Sequence, residues 1–245
     1  MNNTISVIVE VTMKSIIYKV DSPKRVMAIL AHPDDEAIGC GGLLAKTVRS
    51  GGEGFVCILT SADDRRSELE NSCQVLGVRH QVSELREKEL GFNSFSKEFL
   101  LGIEKTIADF QPHILVTHDP NLDYHPDHRK AAELVIPRLQ SVAMGSQGEP
   151  WLVELALSTE INNLFPQPDI LVDITNYYRF KQAALSKHKS QLEDPTKNRY
   201  YSGLIKYKAL LRGHQLGVKY AEAYTIIKQP LIGNLYSGKR RGPFL

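Results

Sequence analysis

Unbroken apolar runs alternate with stretches of helical spacing along most of this chain. Val26-Met27-Ala28-Ile29-Leu30 is apolar throughout, Phe55-Val56-Cys57-Ile58-Leu59 nearly so, and Ile114-Leu115-Val116 repeats the pattern before Thr117. Such runs predict strands covered on both faces, because a strand with one wet face alternates apolar and polar positions. Residues 152–157 and Ile170-Leu171-Val172 predict two more. Between them Ile38, Leu43, Leu44 and Val48 fall at helical spacing, as do Leu69, Cys73 and Leu76. A third helix is predicted over residues 97–110, with Phe99, Leu100, Ile103 and Ile107 on one face and Pro112 as its stop. A fourth starts near Asp127 and carries Ala131, Leu134 and Val135; two more occupy residues 178–191 and 204–216. Strands alternating with helices imply an α/β fold, a mostly parallel sheet with helices on both faces. No repeat or linker divides the chain, so residues 1–245 read as one domain. Residues 1–24 form an N-terminal extension or edge strand, and 229–245 a C-terminal tail.

Composition narrows the partners. Hydrophobic residues at 42% and charged residues at 24% are ordinary for a soluble domain. A net charge of +2 argues neither for nucleic acid nor for an anionic membrane, and Lys239-Arg240-Arg241 reads as a solvated tail, so no nucleic-acid partner is expected. Cys40, Cys57 and Cys73 are odd in number and not spaced as a zinc ribbon, which favours a reducing compartment. No apolar run reaches the length of a membrane span. The Ile5 to Val11 stretch contains Glu10 and follows no basic segment, so it is not read as a signal peptide. These features predict a cytoplasmic protein without an integral membrane segment.

The chemistry concentrates in two short runs. Ala31-His32-Pro33-Asp34-Asp35-Glu36 follows the first core strand, and His125-Pro126-Asp127-His128 follows the strand ending at Thr117. In open α/β sheets ligands bind beyond the carboxyl ends of strands, so both runs are predicted at one edge. Each alone reads equally well as a Pro-stiffened turn leading into a helix N-cap. Together at equivalent strand ends they supply imidazole and carboxylate donors that suit zinc. His32 and Asp35 can converge on one ion, with His125 or His128 supplying a further ligand. Asp34 then lies beside the metal, free to take a proton from water. A two-His, one-carboxylate set also accepts iron(II).

These motifs resemble those of the zinc-dependent N-deacetylases of the LmbE-like, or PIG-L-like, family. Residues 31–42 (AHPDDEAIGCGG) and 123–129 (DYHPDHR) are similar to its two hallmark segments. Softer likeness runs through residues 65–78, 173–175, 181–191 and 217–224, so that the resemblance spans about residues 25 to 228. It implies a Rossmann-like sheet, with His32, Asp35 and His128 as zinc ligands and Asp34 as general base. His125 becomes the oxyanion-stabilising partner, and Asp127 the carboxylate that orients it. It implies a small N-acetylated sugar conjugate of the N-acetylglucosamine type as substrate, release of acetate, and a homo-oligomer (trimer or hexamer).

By the same resemblance Arg65 grips substrate oxygens, and Tyr220 and His188 line the pocket. The chain departs from the family pattern just before Arg65, where the expected Gly-rich loop is cut to Ser61-Ala62-Asp63-Asp64 and leaves one pocket wall open. Gly39, Gly41 and Gly42 are not a dinucleotide fingerprint, since Leu44 stands where the third Gly belongs. They are expected to let the first helix pack close against the sheet. Cys40 is expected to be a buried thiol. His118, at a strand end, serves equally as a substrate contact or a structural hydrogen-bonding group, and His80, His113 and His214 as surface or capping residues. The competing readings are a non-catalytic zinc-binding protein and a Rossmann-like ligand-binding protein.

Overall fold

The computed structural model of the chain describes residues 16–17, 24–60, 65–82, 90, 95–143, 155–161 and 166–227. Its strands are β1 (Ile16–Ile17), β2 (Arg25–Leu30), β3 (Glu53–Ile58), β4 (Arg79–Val82), β5 (Ile114–Thr117), β6 (Leu155–Thr159), β7 (Ile170–Asp173) and β8 (Ala221–Ile226). The helices are α1 (Asp35–Arg49), α2 (Arg66–Leu76), α3 (Lys97–Phe110), α4 (Pro126–Ala143), α5 (Tyr178–Leu185), α6 (Lys189–Leu192) and α7 (Pro195–Leu216). The strands form one sheet in the order β1-β7-β8-β6-β5-β2-β3-β4. Every pairing is parallel except those of β8, which runs antiparallel to both β6 and β7. The mostly parallel α/β architecture expected from the apolar runs is therefore present.

The pleat divides β2 between two cores. Val26, Ala28 and Leu30 pack on one face with residues of α1, α2, α5 and α7. Met27 and Ile29 pack on the other with α3 and α4. All five are fully buried, which is why β2 shows no alternation. Two strands escaped the apolar signal. In β4 three of the four residues are exposed and polar, as suits the sheet's edge. In β8 the sequence Ala-Glu-Ala-Tyr hides a strand whose acid is buried.

Helix α7 begins at Pro195, nine residues before the predicted start at 204. Asp194 caps it by accepting from the Thr196 and Lys197 N–H groups, and its opening turn is too exposed to carry an apolar stripe. The predicted helix over 178–191 is instead α5 followed by the single turn of α6. Residues 152–154 of one predicted strand, most of segment 1–24 and the tail 229–245 lie outside the described residues.

Helix α1 is bent where it crosses the sheet. Cys40 leaves helical geometry at φ −142°, which releases carbonyls before it and N–H groups after it. Tertiary contacts take up each of these groups. Lys181 Nζ donates to Ile38 O at 2.7 Å and Thr159 Oγ1 to Gly39 O at 2.6 Å. Glu222 accepts from Gly42 N at 2.8 Å and Leu43 N at 2.7 Å. Lys181 Nζ reaches the same carboxylate at 2.6 Å, and Tyr224 Oη donates to it at 2.8 Å. Glu222 thus caps the second half of α1 from another strand. The approach needs glycine: a Cβ at Gly39 would stand 2.8 Å from Thr159 Cγ2, and one at Gly42 would stand 2.7 Å from Ile174.

Removing one partner of a buried ion pair leaves the other charge uncompensated, at a cost of about 3–5 kcal/mol. Glu222→Ala should therefore lower unfolding free energy by about 3 kcal/mol or more. Urea denaturation of the variant checks this; an unchanged midpoint would show that Glu222 does not hold α1.

Candidate metal and catalytic site

Strands β2 and β5 are hydrogen-bonded neighbours, with Val26, Met27 and Ala28 in register with Ile114, Leu115 and Val116. The chain leaves β2 for β3 on one side, and β5 lies on the other, so the sheet's topological switch falls between them. The segments after these two strands meet there. His32 to Glu36 enters α1, while His118 to His128 leads into α4.

Two histidines are each anchored by a carboxylate. His32 Nε2 lies 2.9 Å from Asp127 Oδ2, and His128 Nδ1 lies 2.9 Å from Asp123 Oδ2. Their other nitrogens face one residue: His32 Nδ1 is 3.6 Å from Asp35 Oδ2, and His128 Nε2 is 3.5 Å from Asp35 Oδ1. Asp35 is held in turn by the His32 backbone N–H at 2.8 Å. Metal-binding imidazoles characteristically give their second nitrogen to a carboxylate, which fixes the ring and its tautomer. The donor set His32, Asp35 and His128 fits a divalent ion on that ground. His125 stands beside it, its ring centroid 4.9 Å from that of His32 and 4.6 Å from that of His128. Among the described residues, donor atoms lie within 4.8 Å of one another in two groups that share His128, His32-His125-His128 and Asp35-His118-His128.

The second cluster is limited by hydrogen bonding. His118 is fully buried, and its Nε2 accepts from the Ala31 N–H at 2.9 Å. The lone pair nearest Asp35 is thus engaged, and the neutral ring carries its proton on Nδ1. Burial, reinforced by the neighbouring His128, pushes the His118 pKa down to about 4, despite Asp35 and Asp123. Of the two roles open to His118, the structure selects the structural one.

Electrostatics at this edge are dominated by buried acids. Burial alone would depress the His32 pKa, but hydrogen bonds and charge from Asp35, Asp127 and Asp34 raise it to about 9. Asp34 is pushed up to about 6 by burial and by the charge of Asp35, with Arg65 and His188 opposing. For Asp35 burial acts upward, yet His128 and His118 hold it well below the usual carboxylate range. A place that favours imidazolium so strongly is a place where a metal cation is also favoured.

Asp127 contacts both His32 and His125. The Asp127 carboxylate meets His32 and also accepts the Leu90 N–H at 2.7 Å. Its backbone N–H donates to His125 Nδ1 at 3.2 Å. Burial, then His128 and His32, lower the His125 pKa, outweighing Asp127 and Asp35. The neutral ring therefore carries its proton on Nε2 and can donate without being charged.

Arg65 lies at the start of α2. Its guanidinium reaches Asp34 Oδ2 at 2.9 Å and also donates to the Pro33 carbonyl. That partnership explains a cation placed against the helix dipole. His188 is fully buried with its Nε2 2.7 Å from Glu36 Oε1, so it supports the site from behind instead of lining a pocket. Tyr220 stacks on Tyr178 at 4.0 Å and packs against the core. Cys40 is buried and its thiol is pushed well up, first by burial and then by Glu222.

Two features were missed from the sequence. Asp123 anchors His128 and also accepts the His125 N–H at 3.0 Å, and its only signal was its place in the DYHPDHR segment. Tyrosines gather beside the site as well. The Tyr201 phenol lies within electrostatic reach of Asp34 and Asp35, Tyr200 meets it edge-on at 5.3 Å, and Tyr124 is 62% exposed next to His125. Nothing in their spacing marked the first two. The segment 61–64 lies outside the described residues.

Fold and site together define an α/β protein with a histidine–carboxylate cluster suited to a metal ion at the carboxyl ends of its strands. Residues 27–138 match the family described as PIG-L: GlcNAc-PI de-N-acetylase. A curated relative, the probable N-acetyl-alpha-D-glucosaminyl L-malate deacetylase 2 of Bacillus subtilis, is 28% identical over 190 residues, covering 69% of this chain and 84% of its own. The solved N,N'-diacetylchitobiose deacetylase of Pyrococcus horikoshii superposes with a TM-score of 0.67 at 25% identity, covering 90% of this chain and 87% of its own. The 4-carboxy-2-hydroxymuconate hydratase GalB of Pseudomonas putida superposes at 0.69 with 18% identity, covering 84% of this chain and 97% of its own; that likeness concerns the fold alone. The chain is thus similar, over residues 27–138 and in its fold, to the LmbE-like, or PIG-L, deacetylases, which are hydrolases of carbon–nitrogen amide bonds.

Loss of a carboxylate behind a metal-binding histidine costs roughly 10–100-fold in metal affinity. Asp123→Asn should weaken divalent metal binding by about that factor. Competition against a chelating indicator measures it, and unchanged affinity would remove Asp123 from the metal's supporting shell.

Proposed function

We propose that this protein is a metal-dependent N-deacetylase that removes the acetyl group from an N-acetylglucosamine-type substrate and releases acetate. The observation that carries this reading is the convergence of two carboxylate-anchored imidazoles on Asp35, with a second buried carboxylate, Asp34, next to it in sequence. His32, Asp35 and His128 are the ligands. Zinc suits them, as does iron(II).

When bound, the metal supplies Lewis-acid polarisation of the acetamide carbonyl and lowers the pKa of water toward about 7. The chain's own residues do the rest. Asp34, held by Arg65, accepts the proton of the attacking water. His125, its Nδ1 engaged by the Asp127 N–H, offers Nε2–H to the oxygen on which charge develops. Asp34 or His125 returns a proton to the departing amine, so the products are acetate and a free amino sugar. Arg65, already bonded to Asp34, acts first on the base and only at its edge on substrate.

The substrate class rests on relatives that act on N-acetylated sugars, and the exposed Tyr124 and Tyr200 offer aromatic faces beside the site for a small sugar conjugate. No helix among the described residues is long and apolar enough to cross a membrane. A cytoplasmic location and assembly as a trimer or hexamer belong to the same proposal, supported by the family likeness; light scattering tests the assembly.

Acetate release from a panel of N-acetylglucosamine conjugates, with and without chelator, tests the activity. Turnover should appear on at least one conjugate, vanish with chelator and return with zinc. Metal bound without turnover on any of them would favour a non-catalytic binding protein. Asp34→Asn should retain metal and lose roughly 10²–10⁴-fold in kcat, the range for a general base. Wild-type turnover in that variant would remove Asp34 from the role.

A further inference from the structure

Asp34 has a backbone that its side chain disfavours. Its φ is 106° and ψ −28°. Among the described residues the other non-glycine at positive φ is Gln111, which sits at φ 50° in the left-handed basin at a helix end. Asp34 lies well beyond that basin, where a Cβ is crowded. A glycine would be easier to fold at this position, yet an aspartate occupies it. Strain of this kind persists only where the surroundings over-determine it.

The surroundings do so through Glu36. One carboxylate oxygen, Oε2, accepts the Asp34 N–H at 2.9 Å. The other, Oε1, accepts from Ser72 Oγ at 2.5 Å and faces His188 Nε2 at 2.7 Å. Glu36, Ser72 and His188 are all fully buried. They come from α1, α2 and the turn before α6, so three separate elements meet on one carboxylate. Among the described residues His188 Nδ1 has no hydrogen-bond partner. The ring is therefore buried for what its other nitrogen does, which is to hold Glu36. On the far side of the same residue, the Asp34 carbonyl accepts from Ala37 N at 3.0 Å and Ile38 N at 2.9 Å, which locks its second peptide into α1.

We infer that Glu36, clamped by Ser72 and His188, is the positioning residue that holds Asp34 in its strained backbone and so aims the Asp34 carboxylate. This rests on the reading of Asp34 as the base. Glu36 touches neither substrate nor metal and acts only through its neighbour. His188 thereby has a function different from the pocket wall suggested by family likeness.

The test pairs kinetics with stability. In Glu36→Gln an amide replaces a carboxylate that accepts on both oxygens, so it cannot serve all three partners. It should retain its metal and its KM while kcat falls by up to the order of 10²-fold, as for a reacting group displaced by about 1 Å. His188→Leu should act in the same direction. Melting temperatures then read the strain without reference to metal or turnover. Asp34→Gly should melt above Asp34→Ala in the native background, although glycine loses more chain entropy on folding. In the Glu36→Gln background that gap should close. Ser72→Ala serves as the background if Glu36→Gln does not fold. An equal gap in both backgrounds, or unchanged kcat in Glu36→Gln and His188→Leu, would overturn the inference. Full turnover in Asp34→Asn would instead sink the base assignment, while the melting comparison would still report the clamp.

Discussion

Five carboxylates, Asp34, Asp35, Glu36, Asp123 and Asp127, are buried at one end of two adjacent strands, and the arrangement around them answers that concentration of charge. An ionised carboxylate cannot leave water without partners. Each of these acids has them: Arg65 for Asp34, three imidazoles around Asp35, Ser72 and His188 for Glu36, His128 for Asp123 and His32 for Asp127. The histidines are turned by these contacts before any ligand arrives. A centre preorganised in this way suits a divalent ion and a reaction that moves protons beside it.

Such a centre needs a rigid support, and α1 provides it by being broken. Its first turn carries Asp35 and Glu36 and follows the strained Asp34. Its second half is tied to the sheet through Glu222, and the carbonyls released at the bend go to Lys181 and Thr159. Gly39 and Gly42 bring the helix close enough for those bonds. The two halves are thereby fixed independently, one by the acid cluster and one by the antiparallel strand β8.

The architecture alone does not choose a reaction. A hydratase shares this fold as closely, by TM-score, as a diacetylchitobiose deacetylase does. What separates possible chemistries is the set of groups at the strand ends and their tautomers. Here these are a His125 whose Nδ1 accepts a backbone N–H, a buried Asp34 and two imidazoles anchored from behind by carboxylates.

Several features were legible without tertiary structure because they are local. The fully apolar runs of β2, β3 and β5 announced strands buried on both faces, and α3 was delimited by its apolar spacing and Pro112. The two His-carboxylate runs could be placed at one sheet edge because each follows such a strand. Other features depend on long-range partners. The polar β4 and the acid within β8 look like loops until neighbouring strands take up their hydrogen bonds. Asp127 was expected to serve His125, and its carboxylate also reaches His32, 95 residues away in sequence. His188 was placed at the pocket, yet it is buried behind Glu36, 152 residues away. Sequence determined which residue types gather at the strand ends, since that follows from local periodicity and connectivity. Tertiary structure alone decided which acid pairs with which imidazole, because those choices are made by packing between elements distant along the chain.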